Sequence, residues 1–101
     1  MKKVYICHEF GDKSKNKKKI TKLIKALVKE YPNVCFISPV HNFGFYYRDV
    51  GYMRGIVYCL TLLKIADEMW TFGERSNSTG CLYEKELCRE IGIPIREVEI
   101  D

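Results

Sequence analysis

Glu84 is an acid where an apolar side chain belongs. A helical pattern runs from about Thr79 to Ile91, with Leu87, Cys88 and Ile91 on one apolar stripe. Stepping back three and four residues from Leu87 and Cys88 reaches Glu84. The stripe that should face the core therefore carries a carboxyl group in its first turn. The β-favouring run Met69-Trp70-Thr71-Phe72 ends shortly before it, so the acid lies just beyond the C-terminal end of a strand. In an open α/β sheet that edge is where ligands bind, and burial there raises a carboxyl pKa. The plainer alternative is that Glu84 complements the positive end of its helix, with its head in water.

Other reactive types cluster around it. Ser76-Asn77-Ser78-Thr79-Gly80 places hydroxyls and a glycine at the helix N-terminus, which suits sugar or phosphate recognition and equally suits capping. The loop His8-Glu9-Phe10-Gly11-Asp12 offers a histidine, two carboxylates and one glycine. It matches neither a dinucleotide fingerprint nor a P-loop. Its backbone can still hold a phosphate, or it is an ordinary turn. His41 is a candidate base or ligand. With one other histidine and no ligand spacing, no metal is expected. A Ser-His-Asp triad does not assemble.

The chain has 101 residues, 47% of them hydrophobic, enough for one domain spanning residues 1–101. The net charge of +4 is local, since seven lysines fall between Lys13 and Lys25. They lack interleaved aromatics, so they read as a solvated helix face that steers anions rather than a nucleic-acid platform. Five cysteines without a Cys-x-x-Cys pair read as small buried hydrophobes in a reducing cytoplasm, not disulfides or zinc ligands. No signal peptide is expected, and the apolar run 56–66 is too short for a bilayer.

Val4-Tyr5-Ile6-Cys7 reads as a buried central strand. Ser14 is a candidate N-cap for a helix marked by Ile20, Leu23, Ile24, Leu27 and Val28, ending near Tyr31 before Pro32. Val34-Cys35-Phe36-Ile37 is a second strand stopped by Ser38-Pro39. Residues 40–55 read as an irregular aromatic lid, binding loop or interface holding His41, Phe43, Phe45, Tyr46, Tyr47, Arg48, Tyr52 and Arg54. Met53, Ile56, Val57, Leu60 and Leu63 mark the next helix, whose wide apolar face hints at an oligomer. Gly92 suits the end of the last helix, and Pro94-Ile95-Arg96-Glu97-Val98 a final edge strand. The result is an α/β three-layer Rossmann/flavodoxin-like sandwich with a four-stranded parallel sheet of order 2-1-3-4. Its switch point makes the loops 8–12 and 73–80, with Gly73 at the head of the second, the ligand crevice.

Several of these residues together resemble the nucleoside 2-deoxyribosyltransferase-like superfamily, in particular its small phage and bacterial branch. The likeness rests on Val4-Tyr5-Ile6, Asn16, Ile37-Ser38-Pro39, Ala66-Asp67-Glu68-Met69-Trp70, and Ser78-Thr79-Gly80 followed by Glu84. The glycine four residues before the glutamate is its most specific element. The resemblance implies that Glu84 is a nucleophile attacking the anomeric carbon of a nucleoside or nucleotide, that Tyr5 and Asp67 support the pocket, that no cofactor is used, and that neighbouring copies complete the site. Two features depart from the pattern: Asn77 and Ser78 stand where an aspartate is usual, and His8-Glu9-Phe10 replaces smaller residues. A reading of a different class is a non-catalytic homo-oligomer of phage type that sequesters a nucleotide or ADP-ribose-like immune signal.

Overall fold

Alternation along the first strand builds two cores at once. The computed structural model describes residues 1–99, and in it β1 (Lys2–Cys7) is flanked by β2 (Val34–Ile37) and β3 (Glu68–Thr71). Successive side chains of a strand point to opposite faces. Val4 and Ile6 accordingly join one buried cluster, and Tyr5 and Cys7 the other. β4 (Ile95–Glu97) is an exposed edge strand, and the order is β2-β1-β3-β4 with every pair parallel. Val4 pairs with Phe36, and Tyr5 with Met69.

One face is covered by α1 (Ser14–Glu30), through Ile20, Leu23 and Leu27. Its lysines stand in solvent. Ser14 is the first helical residue rather than the cap. Lys13 holds the cap position without a side-chain bond, and the turn is closed instead by the Lys13 amide donating to the Phe10 carbonyl at 3.1 Å. Val28, expected on the apolar stripe, is half exposed.

The segment read as an irregular lid is helical. Ser38 caps α2 (Pro39–Phe43), accepting from the His41 amide at 3.3 Å, with Pro39 at the first helical position it favours. A 3₁₀ turn, Gly44–Tyr46, leads into α3 (Tyr47–Val50). Gly51, at φ 80°, makes the break before α4 (Tyr52–Leu63). Two further bonds fix the segment. Arg48 pairs with Asp12 of the first loop, and Phe10 meets Tyr47 edge-on at 5.5 Å.

The other face is covered by α4 and by α5 (Thr79–Ile91), whose buried positions are Cys81, Glu84 and Cys88. Gly92 ends α5 in the left-handed conformation, its amide donating to the Cys88 carbonyl at 2.9 Å. Ile91, counted on the buried stripe, is half exposed. Cys35 also departs from expectation: it faces solvent. Among the described residues, no helix is long and apolar enough to cross a membrane.

Candidate active site

The C-terminal ends of β1 and β3 are tied together before any functional group is placed. Ser76 is fully buried; its hydroxyl accepts from the Phe72 amide at 2.8 Å and donates to the Cys7 carbonyl. The Glu9 amide donates to the Arg75 carbonyl at 2.7 Å. Ser78 caps α5, accepting from the Cys81 amide at 3.3 Å. Of the hydroxyls read as ligand groups, Ser76 is thus a structural tie. Ser78 is both the helix cap and part of a cavity wall.

That cavity has a volume of about 440 Å³ and opens over the β1 and α5 termini, a size suited to a small organic ligand. Phe10, Phe43, Tyr47 and Tyr52 make aromatic walls, with Val40, Val50 and Ile56 between them. The polar part is small: His8, Ser78, Thr79, Cys81 and Glu84. Among the described residues, no lysine or arginine lines it.

Glu84 is 6% exposed. The Tyr5 hydroxyl donates to its Oε2, and the Cys7 thiol to its Oε1 at 3.5 Å. Burial wins over these bonds and pushes the Glu84 carboxyl up to about 8. The same burial, reinforced by Glu84, holds the Tyr5 hydroxyl well above its usual range. Cys81 is drawn below the usual thiol range, first by its hydrogen bond with Cys7 and then by Ser78, while Cys7 is driven upward. Cys59, on the cavity wall, is pushed up to about 12 by burial.

His8 sits on the wall with a defined tautomer. Its Nδ1 lies 2.8 Å from the Glu9 carbonyl, which can only accept, so Nδ1 carries the proton. Burial lowers its pKa and keeps it neutral. Nε2 is then a bare acceptor, buried and without a partner among the described residues. Gly11 and Asp12 both take positive φ, and Asn16 Nδ2 donates to the Phe10 carbonyl at 2.9 Å, fixing the loop that carries His8 and Phe10.

The structure brings His8, Phe10, Gly11, Tyr47, Ser78, Thr79, Gly80 and Glu84 to one cavity, with Tyr5 behind Glu84 and Asn16 behind the loop. Others lie elsewhere. Asp67 precedes β3, at the opposite edge of the sheet, accepting from the Lys3 amide at 2.7 Å; it is not a pocket residue. Gly73 turns away, donating its amide to Glu97 at 2.7 Å, and Glu9 contributes backbone only. His41 has both ring nitrogens engaged, by Ser38 at 2.6 Å and Thr21 at 2.7 Å, in a separate surface depression. Phe45 is exposed and meets Tyr46 at a tilt, Tyr46 stacks on Tyr58, and Arg54 donates to the Tyr58 hydroxyl at 2.7 Å; neither Phe45, Tyr46, Arg48 nor Arg54 lines the cavity.

Cys7, Cys81 and Cys59 were not singled out from sequence as site residues, whereas Phe43 and Tyr52 belong to the aromatic segment read as a lid or interface. A signal existed for two of the cysteines. Cys7 shares a strand face with Tyr5, and Cys81 lies one helical turn before Glu84.

No protein-family model matches the chain, and no curated protein does. Among solved structures, it is similar to a 2-deoxyribosyltransferase from the psychrotolerant bacterium Bacillus psychrosaccharolyticus, described as a biocatalyst for synthesis of antiviral and antitumoral nucleosides. The TM-score is 0.65 at 21% identity, covering 96% of this chain and 72% of that one. The parallel sheet of order 2-1-3-4 with helices on both faces is thereby the nucleoside deoxyribosyltransferase fold.

Proposed function

We propose that the cavity binds a nucleoside and that Glu84 is the nucleophile that opens its N-glycosidic bond. The observation that carries this reading is a single carboxyl group, buried and oriented by Tyr5, in an aromatic-walled cavity of about 440 Å³. The aromatic rings suit a base, and the neutral imidazole of His8 lies on the same wall. The hydroxyl of Thr79 and the amides opening α5 suit a sugar. Without a basic side chain on the wall, an uncharged nucleoside is favoured over a nucleotide.

In the reaction, an ionised Glu84 oxygen bonds to the anomeric carbon while the carbon–nitrogen bond breaks. The electron pair leaves on the base nitrogen, which takes a proton from solvent. Water or a second base then attacks the same carbon and releases the carboxylate. Metal, cofactor and nucleic acid have no part in this reading. The exposed apolar residues Met53 and Val57 on α4, with Phe45 nearby in sequence, would pack against another copy in a cytoplasmic homo-oligomer.

A second reading is favoured by the raised pKa of Glu84. A carboxyl group that keeps its proton is a hydrogen-bond donor, as in a protein that holds an intact nucleotide or ADP-ribose-like signal, the role known for small phage sequestering proteins. One experiment separates the two. The protein is incubated with nucleosides, nucleoside monophosphates and cyclic ADP-ribose-type molecules, then heat-denatured, and the supernatant is chromatographed. Free base with wild type and none with Glu84→Gln supports the enzyme. Intact ligand depleted before heating and recovered afterwards supports sequestration, and no change with any ligand defeats both.

A further inference from the structure

Glu84 shares its surroundings with two thiols that the glycosyl reaction leaves idle. Cys7 and Cys81 are both buried, one at the end of β1 and one in the first turn of α5. Their sulfurs and a Glu84 oxygen all lie within 4.8 Å of one another. From this convergence we propose that Cys7, Cys81 and Glu84 form a binding site for a thiophilic divalent cation, with zinc as its representative.

The geometry suits that ion. Tetrahedral zinc has Zn–S near 2.3 Å and Zn–O near 2.0 Å, which sets ligand sulfur and oxygen about 3.5 Å apart. Cys7 Sγ and Glu84 Oε1 are 3.5 Å apart. Oε2 is already taken by the Tyr5 hydroxyl, so the carboxylate offers one oxygen and is oriented from behind. Such an outer partner is usual for a metal-bound carboxylate. Cys81 and Glu84 line the cavity, which gives an ion its route in and leaves the fourth position to water. Two sulfurs select against magnesium and calcium, which take oxygen ligands.

Linear spacing hides this site, because its ligands come from a strand end and a helix turn far apart in the chain. A cation on Oε1 would occupy the carboxylate that the glycosyl reaction needs, so zinc would inhibit it. Binding itself does not rest on that reaction and is measured without nucleoside, so failure of either reading is seen separately.

The test uses reduced Cys35→Ser protein, which lacks the one exposed thiol, titrated with cobalt(II). The expected result is one cobalt per chain with sulfur-to-cobalt charge-transfer absorption, displaced by zinc. No stoichiometric binding, or binding without that absorption, overturns the proposal; both are read with Cys7, Cys81 and Glu84 intact. Cys81→Ser is then expected to lose the stoichiometric site, and Tyr5→Phe to weaken zinc about ten- to a hundred-fold. Full affinity in Cys81→Ser would also overturn the assignment.

Discussion

The two faces of β1 bury neighbouring residues of one strand in different company. Val4 and Ile6 meet Ile20, Leu23 and Leu27 of α1, with Trp70 and Phe72 beside them. The one polar atom of Trp70 is given to Glu68 at 2.9 Å. Tyr5 and Cys7, equally buried, meet Cys81, Cys88 and Met69, with the Glu84 carboxyl among them. The first face is close-packed hydrocarbon and aromatic rings. The second encloses a hydroxyl, thiols and an acid, and it gives the cavity its acid and a thiol, while Phe10 and Val40 of the first cluster supply part of the apolar wall. Both sides are buried, but the ionisable groups gather on one of them, separated from the other by the alternation of single residues.

Glu84→Gln attacks the reactive face and has the largest expected effect. If Glu84 is the nucleophile, turnover falls by about 10⁴-fold or more, measured as base release. Stability should move the other way. Folded Glu84 holds its proton up to about pH 8, against 4.5 for a free glutamate. The folded chain therefore binds that proton more tightly than the unfolded chain does. Its contribution is complete below about pH 4.5, and declines until it is gone above about pH 8. Glutamine has no proton to lose, so the variant should be more stable than wild type at alkaline pH, by a few kcal/mol at roughly pH 9. Thermal melts of both proteins across that range check the sign. Wild-type turnover, which needs the ionised acid, should rise with pH towards 8.

Ile6→Ala attacks the dry face. It should cost about 2–5 kcal/mol in urea unfolding, much of the stability of a domain this size. Ligand affinity of the molecules that remain folded should hardly change. A large loss of affinity would mean that the two faces are not separable.

Much of this division was legible in the sequence. The β-favouring run Val4-Tyr5-Ile6-Cys7, the stripe of α1 and the acid within the stripe of α5 are local signals that pointed to the central strand and to Glu84, and the alternation of strands and helices pointed to the parallel sheet. Residues 40–55 were missed as helix because aromatics and glycines at 43–47 and 51–55 blur a 3.6-residue period. The start signal, Ser38 capping a helix with Pro39 in its first turn, was read only as the end of a strand. The grouping of Cys7 with Cys81 needed the third dimension. His41 looked chemical because of its type, yet its neighbours Ser38 and Thr21 saturate it.

Gly44→Ala tests the cavity wall with a smaller change. A Cβ there would lie 3.3 Å from the Phe10 ring and 3.5 Å from Val40, both of which line the cavity. The ring must give by a few tenths of an ångström, so ligand affinity should fall several-fold, by about 1 kcal/mol, with little change in the thermal midpoint. Calorimetry with the bound nucleoside measures it. Unchanged affinity would show that Phe10 is not a wall the ligand touches.

The smallest effect is expected at the far edge of the sheet, from Asp67→Asn. Asp67 accepts from the Lys3 amide at 2.7 Å and from Lys3 Nζ at 3.4 Å, in the open. The amide bond, and after it the Lys3 charge, hold its carboxyl below the usual value of 3.8. Here the folded chain binds the proton less tightly than the unfolded one. The stabilisation is present above pH 3.8 and is lost as pH falls through the lower folded value. This is the reverse of Glu84 in sign and falls in a different pH window. Asp67→Asn should therefore lower the thermal midpoint slightly at pH 7, converge with wild type in strong acid, and leave ligand affinity unchanged at both. A loss of affinity would join the two edges of the sheet functionally, against the argument that the strand termini beside α5 alone carry the site.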